Sequence, residues 1–209
     1  VTQITGAAAA RWDDGAMRLF AAVRPPERVL AHLAAATEAV RGPQAGPPAL
    51  RWTPPEQQHI TLAFYGEVPD GAAEDLAAGL ADVVAAAPAP TLQLVGAGAF
   101  SGRTLWAGVR AADPAGLVDL MAAVDALGDA VGAPHEPRDR RRAHLTLARV
   151  GTRSRRGVDL AGIVHALSVY AGPEWTAGHV ELVASQLGKG RGGGPLHDVL
   201  AALPFAPGR

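Results

Sequence analysis

The 209-residue chain contains no cysteine. That single absence removes disulfides, thiolate nucleophiles and cysteine-ligated zinc. Lysine is almost missing as well, since of the 19 basic residues only Lys189 is one. With abundant Ala, Gly and Pro, this reads as a composition bias and carries no functional inference. Net charge is −1, so no global field calls for a nucleic-acid partner. No apolar run approaches the roughly 18 residues needed to cross a bilayer. The opening VTQITGAAAARWDDGA lacks the basic-then-apolar order of a signal peptide. These absences lead us to expect a cytoplasmic protein with no membrane association. What is present, 48% hydrophobic and 19% charged residues, is the composition of a globular chain. Its length suits one domain, or two small lobes sharing a core.

One short stretch occurs twice. His59-Ile60-Thr61-Leu62 is the first copy and His144-Leu145-Thr146-Leu147 the second. Random placement would give about 0.04 copies of His-x-Thr-Leu in a chain of this composition, so the pair is a motif to be tested against its structural context. Both copies sit in strand-like runs, HITLAFYGEV and HLTLARV. Side chains alternate along a strand, so His59 shares a face with Thr61, and His144 with Thr146. Ile60, Leu62, Leu145 and Leu147 point the other way. Each strand therefore buries an apolar face and offers an imidazole beside a hydroxyl.

Residues 1–16 show no sustained periodicity and are expected to form a flexible extension, with one bilobed domain over 17–209. From Met17 the order reads strand, helix, motif strand, helix, two strands, helix, motif strand, helix, two strands. The helices are expected around Val29–Val40, Leu76–Ala87, Leu117–Val131 (with Asp113 as cap) and Asp159–Ala171. The strand pairs are TLQLVGAGAF with TLWAGV across a Ser101-Gly102 turn, and WTAGHVELVASQL with LHDVLAALPF. A unit of helix, motif strand, helix and two strands thus occurs twice. The expected fold is α+β: two pseudo-symmetric lobes, each an antiparallel sheet with helices on its outer side. Placed face to face, the sheets would bring both His–Thr pairs into one groove. Such a protein is expected to act as a monomer.

Two imidazoles on opposite sides of a reacting centre can divide the work of acid and base near neutral pH. Phosphoryl transfer suits them, because its attacking and leaving oxygens lie roughly in line. Each Thr hydroxyl can donate to a phosphate oxygen. The scheme needs no metal or other cofactor.

The residues MRLFAAVRPPE (17–27), RWTPPEQQHITLAFYGEV (51–68), GAFSGRTLWAGV (98–109) and AHLTLARV (143–150) carry a resemblance. The chain resembles the 2H phosphoesterase superfamily, and within it the bacterial RNA 2′,3′-cyclic phosphodiesterases, historically called 2′–5′ RNA ligases. The resemblance spans Met17 to Phe205. It implies a bilobed α+β fold and hydrolysis of a terminal RNA 2′,3′-cyclic phosphate to a 2′-phosphate, with 2′–5′ ligation as the reverse reaction. It implies that His59 is the proton donor and His144 the acceptor, with Thr61 and Thr146 holding the phosphate. Arg149 stands where the family often has an arginine near the phosphate. RNA ends or small cyclic-phosphate nucleotides would be the partners. The chain departs from the family at Ala143, where proline is usual, in Arg138–Arg142, where an aromatic often stands, and at His197, where tyrosine is common. These departures bear on base contacts and substrate preference.

Eight arginines and one acid lie between Arg138 and Arg156, which reads either as an RNA-phosphate patch or as a solvated loop. Arg149 has the wrong parity to share a face with His144, so a bulge or twist must turn it into the groove. Phe20, Phe64, Tyr65 and Trp106 are read as core aromatics before base-stacking ones. His32, His165 and His179 are read as structural, and His135 and His197 as loop or edge positions. A non-catalytic RNA-end binder using the same cleft is the alternative. A histidine-ligated metal phosphoesterase fails on spacing, since no HxH, HxxxH or histidine–carboxylate cluster occurs. The glycine-rich GKGRGGGP lacks the Lys-Ser/Thr ending of a nucleotide-triphosphate loop.

Overall fold

The structure is a computed structural model of the chain. It describes residues 16–41, 50–69, 71–133, 142–151, 158–190 and 194–207. The proposed N-terminal extension and most of the arginine-rich segments around the second motif lie outside the described residues.

Strands β1 (Ala16–Val23), β3 (Ile60–Pro69), β8 (His179–Gln186) and β9 (Leu196–Pro204) form one half of an antiparallel sheet. Strands β4 (Thr91–Phe100), β5 (Thr104–Ala111), β6 (His144–Val150) and β7 (Trp175–Thr176) form the other, with β2 (Leu50–Trp52) on the free side of β6. The path runs β7-β4-β5-β6-β3-β1-β8-β9, and β6 meets β3 at a single register pair, Ile60 with Leu145. This is the expected α+β architecture in two lobes. The lobes are not the two sequence repeats, however. The first motif strand pairs through β1 with the second repeat's hairpin, and the second motif strand pairs with the first repeat's hairpin.

Helices α1 (Glu27–Arg41), α2 (Ala72–Ala86), α3 (Pro114–Ala130) and α4 (Leu160–Ala166) cover one face. α2 and α3 pack on β3, with α2 also reaching β8 and β9, and α4 packs on β4. Leu19, Ala21, Val23, Ile60, Leu62, Leu145 and Leu147 join the helices' Leu76, Leu80, Leu117 and Val124 in one core. Strand residues of opposite parity form a separate small cluster, Phe20, Ala22 and Val183, with Phe64 against it. Two clusters on two faces are the physical signature of a sheet with helices on one side and a groove on the other.

Local chemistry explains the boundaries. Asp113 caps α3 as expected, its carboxylate accepting from the Gly116 amide at 3.0 Å, with Pro114 at the first helical position. Ser101 (φ 50°) and Gly102 (φ 62°) make the β4–β5 turn in the left-handed region. The last helix is shorter than expected, ending at Ala166 instead of Ala171. Sheet pairing wins there: the Tyr170 carbonyl accepts from the Gly96 amide at 2.8 Å, and the Gly172 amide donates to Leu94 at 2.9 Å. The expected strand WTAGHVELVASQL is two strands, since Trp175–Thr176 pairs with β4 and His179–Gln186 with β1. The chain crosses between lobes at Ala177-Gly178.

Candidate active site

The two motifs meet where the lobes meet. Ile60 and Leu145 are the joining pair and both are fully buried. Continued by one step to either side, that antiparallel register would set His59 opposite Thr146 and Thr61 opposite His144. The two imidazoles are then diagonal neighbours, whose backbones are about 7–8 Å apart. All four side chains are half-buried, on the face away from the core. The two motifs are thus arranged about the joining pair in a pseudo-two-fold way.

The rings are held alike. His59 Nδ1 lies 2.8 Å from the Gln57 carbonyl, and His144 Nδ1 lies 3.0 Å from the Arg142 carbonyl. A carbonyl oxygen only accepts, so in each ring Nδ1 carries the hydrogen. Nε2 is thereby left as the nitrogen that can take or give a proton. Both contacts reach back two residues, so the orientation is written into the local chain path.

Both motif strands contain the same irregularity. Thr61 pairs with Ala22 but Ala63 with Ala21, and Thr146 pairs with Trp106 but Ala148 with Leu105. Leu62 and Leu147 are each an extra residue in a bulge. Consequently Leu62-Ala63 and Leu147-Ala148 are both buried in succession, and the next residue turns to the groove face. That residue is Phe64 in one lobe and Arg149 in the other. The six-residue frame is His-x-Thr-Leu-Ala-x twice over. Arg149 thus reaches the face of His144 and Thr146 by the bulge its parity demanded. It is exposed, opposite Thr104 of β5 and Arg51 of β2. Arg51 and Arg149 are cross-strand neighbours.

Aromatic rings flank each imidazole. Phe20 stacks on His59, with centroids 4.8 Å apart, and His197 meets His59 edge-on at 5.3 Å. Across the groove, Phe100 meets His144 edge-on at 5.0 Å and stacks on Trp106 at 5.1 Å. The Arg142 guanidinium lies over the Trp106 ring. Gly98, paired with Trp106, has no side chain because that ring occupies the space a Cβ would need. Of the aromatics expected in the core, Tyr65 is there, its hydroxyl donating to the Val124 carbonyl at 2.9 Å. Phe20 is also buried, in the small cluster on the groove face; Trp106 stands on that face by the regular alternation of β5, and Phe64 by the bulge in β3. His32 is exposed on α1, with its Nδ1 3.2 Å from the Tyr170 hydroxyl. His197, noted in the sequence only as a departure from the family's tyrosine and as an edge position, stands against His59. Its neighbours in the chain do not signal a contact with the first motif, and the β1–β8–β9 pairing carries it to His59.

Electrostatics distinguish the first histidine. Burial lowers the His59 pKa to about 4, helped by His197 and Arg24 and opposed by the Gln57 carbonyl and Glu181. His59 is therefore uncharged at neutral pH in the empty groove. Arg24 is ion-paired with buried Glu181 at 3.1 Å and also donates to the Glu56 carbonyl. It thereby ties the turn before His59 to β8. Among the described residues no cluster of His, Asp and Glu could hold a metal ion.

Residues 23–111 match the family of LigT-like phosphoesterases. Over that segment the chain is similar to a LigT-like phosphoesterase. That match includes the first motif, and solved structures extend the likeness to the second. A crystal structure of TT0787 from Thermus thermophilus is 29% identical, with a TM-score of 0.68 over 90% of this chain and 97% of that one. Escherichia coli LigT complexed with 3′-AMP is 24% identical, with a TM-score of 0.69 over 92% of this chain and 99% of that one. The same E. coli protein complexed with phosphate is 22% identical, with a TM-score of 0.63 over 93% of this chain and 100% of that one. These last two show the likeness of fold. Comparison with curated proteins gives no significant match. The domain also has no described helix long and apolar enough to cross a membrane.

Proposed function

We propose that residues 17–209 act as one bilobed RNA 2′,3′-cyclic phosphodiesterase, opening a terminal cyclic phosphate to a 2′-phosphomonoester without a metal. The observation that carries this reading is the matched pair of imidazoles, each with Nδ1 on a backbone carbonyl two residues back, on strands joined at Ile60 and Leu145. In the reaction His144 Nε2 takes a proton from water as its oxygen attacks phosphorus. His59 Nε2 gives a proton to the departing 3′ oxygen. The Thr61 and Thr146 hydroxyls donate to the non-bridging oxygens, and Arg149 neutralises the charge they gain. The phosphate-bound and 3′-AMP-bound forms of E. coli LigT support a ligand of this chemistry. Because His59 is uncharged in the empty groove, its proton must arrive together with the anionic substrate.

The test is product identification with an adenosine-terminated RNA ending in a 2′,3′-cyclic phosphate. We expect a 2′-phosphate product, formed at an unchanged rate in excess EDTA. A 3′-phosphate product, or loss of turnover with chelator, would reject the scheme. A second expectation follows from the sign of the His59 shift. In the free protein the His59 Cε1–H resonance should titrate with a midpoint near 4, because burial disfavours its charged form. A midpoint near the ordinary histidine value of about 6.5 would contradict the electrostatics of the groove.

A further inference from the structure

His197 is outside the paired-motif scheme, yet it is built into the same wall. Its ring meets His59 edge-on at 5.3 Å and Phe20 edge-on at 5.2 Å. Its Nδ1 is buried with no hydrogen-bond partner among the described residues, an arrangement that costs stability unless it serves something else. The start of β9 is also fastened to the turn that carries His59. Gln57 donates from Nε2 to the Pro195 carbonyl at 2.9 Å, while its own carbonyl accepts from His59. Moving β9 would therefore move both imidazoles.

The surrounding charges are few. Arg24 at the end of β1 and the two rings are cationic or can become so. Glu181 on β8 is held by Arg24 and lies 3.5 Å from His179, and Asp198 on β9 adjoins His197. Two imidazoles at this separation, beside a fixed guanidinium, resist a second positive charge.

We propose that His197 is a positioning residue for His59, and that the two rings share a single proton that a bound phosphate ester draws into the groove. The anion supplies the opposite charge that the empty wall lacks. Binding then takes up a proton from solution and delivers the charged imidazole the leaving oxygen requires. Burial and Arg24 likewise push the His197 pKa down, so near neutrality the empty pair is uncharged and binding is what loads it. The proposal rests on the phosphodiesterase reading only for the identity of the anion.

Imidazole Cε1–H resonances across pH 3.5–8 test it directly, with sulfate as a probe whose charge is constant over that range. In His197→Phe, which keeps a ring against His59 and Phe20, the His59 midpoint should rise by about one unit. His197→Gln should raise it similarly, since it too removes the charge. Sulfate should raise the wild-type midpoint by about one unit, and the Phe variant's by less. An unmoved His59 in either folded variant, a wild-type midpoint indifferent to sulfate, or a Gln variant that behaves as wild type would overturn the proposal. If the titrations move as expected but no cyclic phosphate is opened, the phosphodiesterase reading falls and the shared proton stands. If cyclic phosphate is opened and the titrations do not move, the reverse holds.

Discussion

His59→Ala and His144→Ala should each lower kcat/KM for opening a nucleoside 2′,3′-cyclic phosphate by about 10²–10⁴-fold, the usual range for one positioned acid or base. The double variant should be little worse than either single one, since half of an acid–base pair does not work alone. The physical basis is the shared tether: Nδ1 of each ring is committed to a carbonyl two residues back, which leaves Nε2 for the proton. Neither imidazole belongs to the helix-side core, so folding should survive both changes. Urea unfolding of each variant, with a stability within about 1 kcal/mol of wild type, separates lost chemistry from lost structure. Activity within threefold of wild type in either folded variant would end the paired scheme.

The largest stability effect should come from the seam between the lobes. Ile60 and Leu145 are the one register pair by which β3 meets β6, and both are fully buried. Ile60→Ala or Leu145→Ala removes three carbons from a packed position and should cost about 2–5 kcal/mol, measured by urea denaturation. The two changes should also be non-additive, with a coupling of about 0.5–3 kcal/mol expected for side chains in contact. Val118, exposed on α3, is the control, and Val118→Ala should stay within about 0.5 kcal/mol. Additive losses at Ile60 and Leu145 would mean that the lobes are fastened elsewhere. Because the same pair joins the two motif strands, the seam variants should also lose kcat more than their residual folded fraction explains.

Much of this was legible along the chain, for a local reason. Alternation in HITL and HLTL assigns His and Thr to one face and the aliphatic residues to the other, and the structure buries Ile60, Leu62, Leu145 and Leu147. Pro, Gly and capping Asp113 placed the element ends, because those residues act through their own backbone. What failed was parity beyond the threonine. A bulge is a mismatch of residue counts between two strands, so neither HITLAF nor HLTLAR reveals by itself that Phe64 and Arg149 face the groove. The end of the last helix failed similarly: Tyr170 and Gly172 were claimed by β4, a partner distant in sequence.

The amino-acid sequence thus determined the element order, the two imidazole–hydroxyl faces and the core side of each motif strand, all of which depend on side-chain periods of a few residues. Tertiary structure alone decided that the hairpins exchange between repeats, that Arg51 and Arg149 are cross-strand neighbours, and that His197 comes to rest against His59. Those arrangements depend on which strands pair and in what register. Pairing is settled by the burial of whole sheet faces, a quantity that no short window of residues contains.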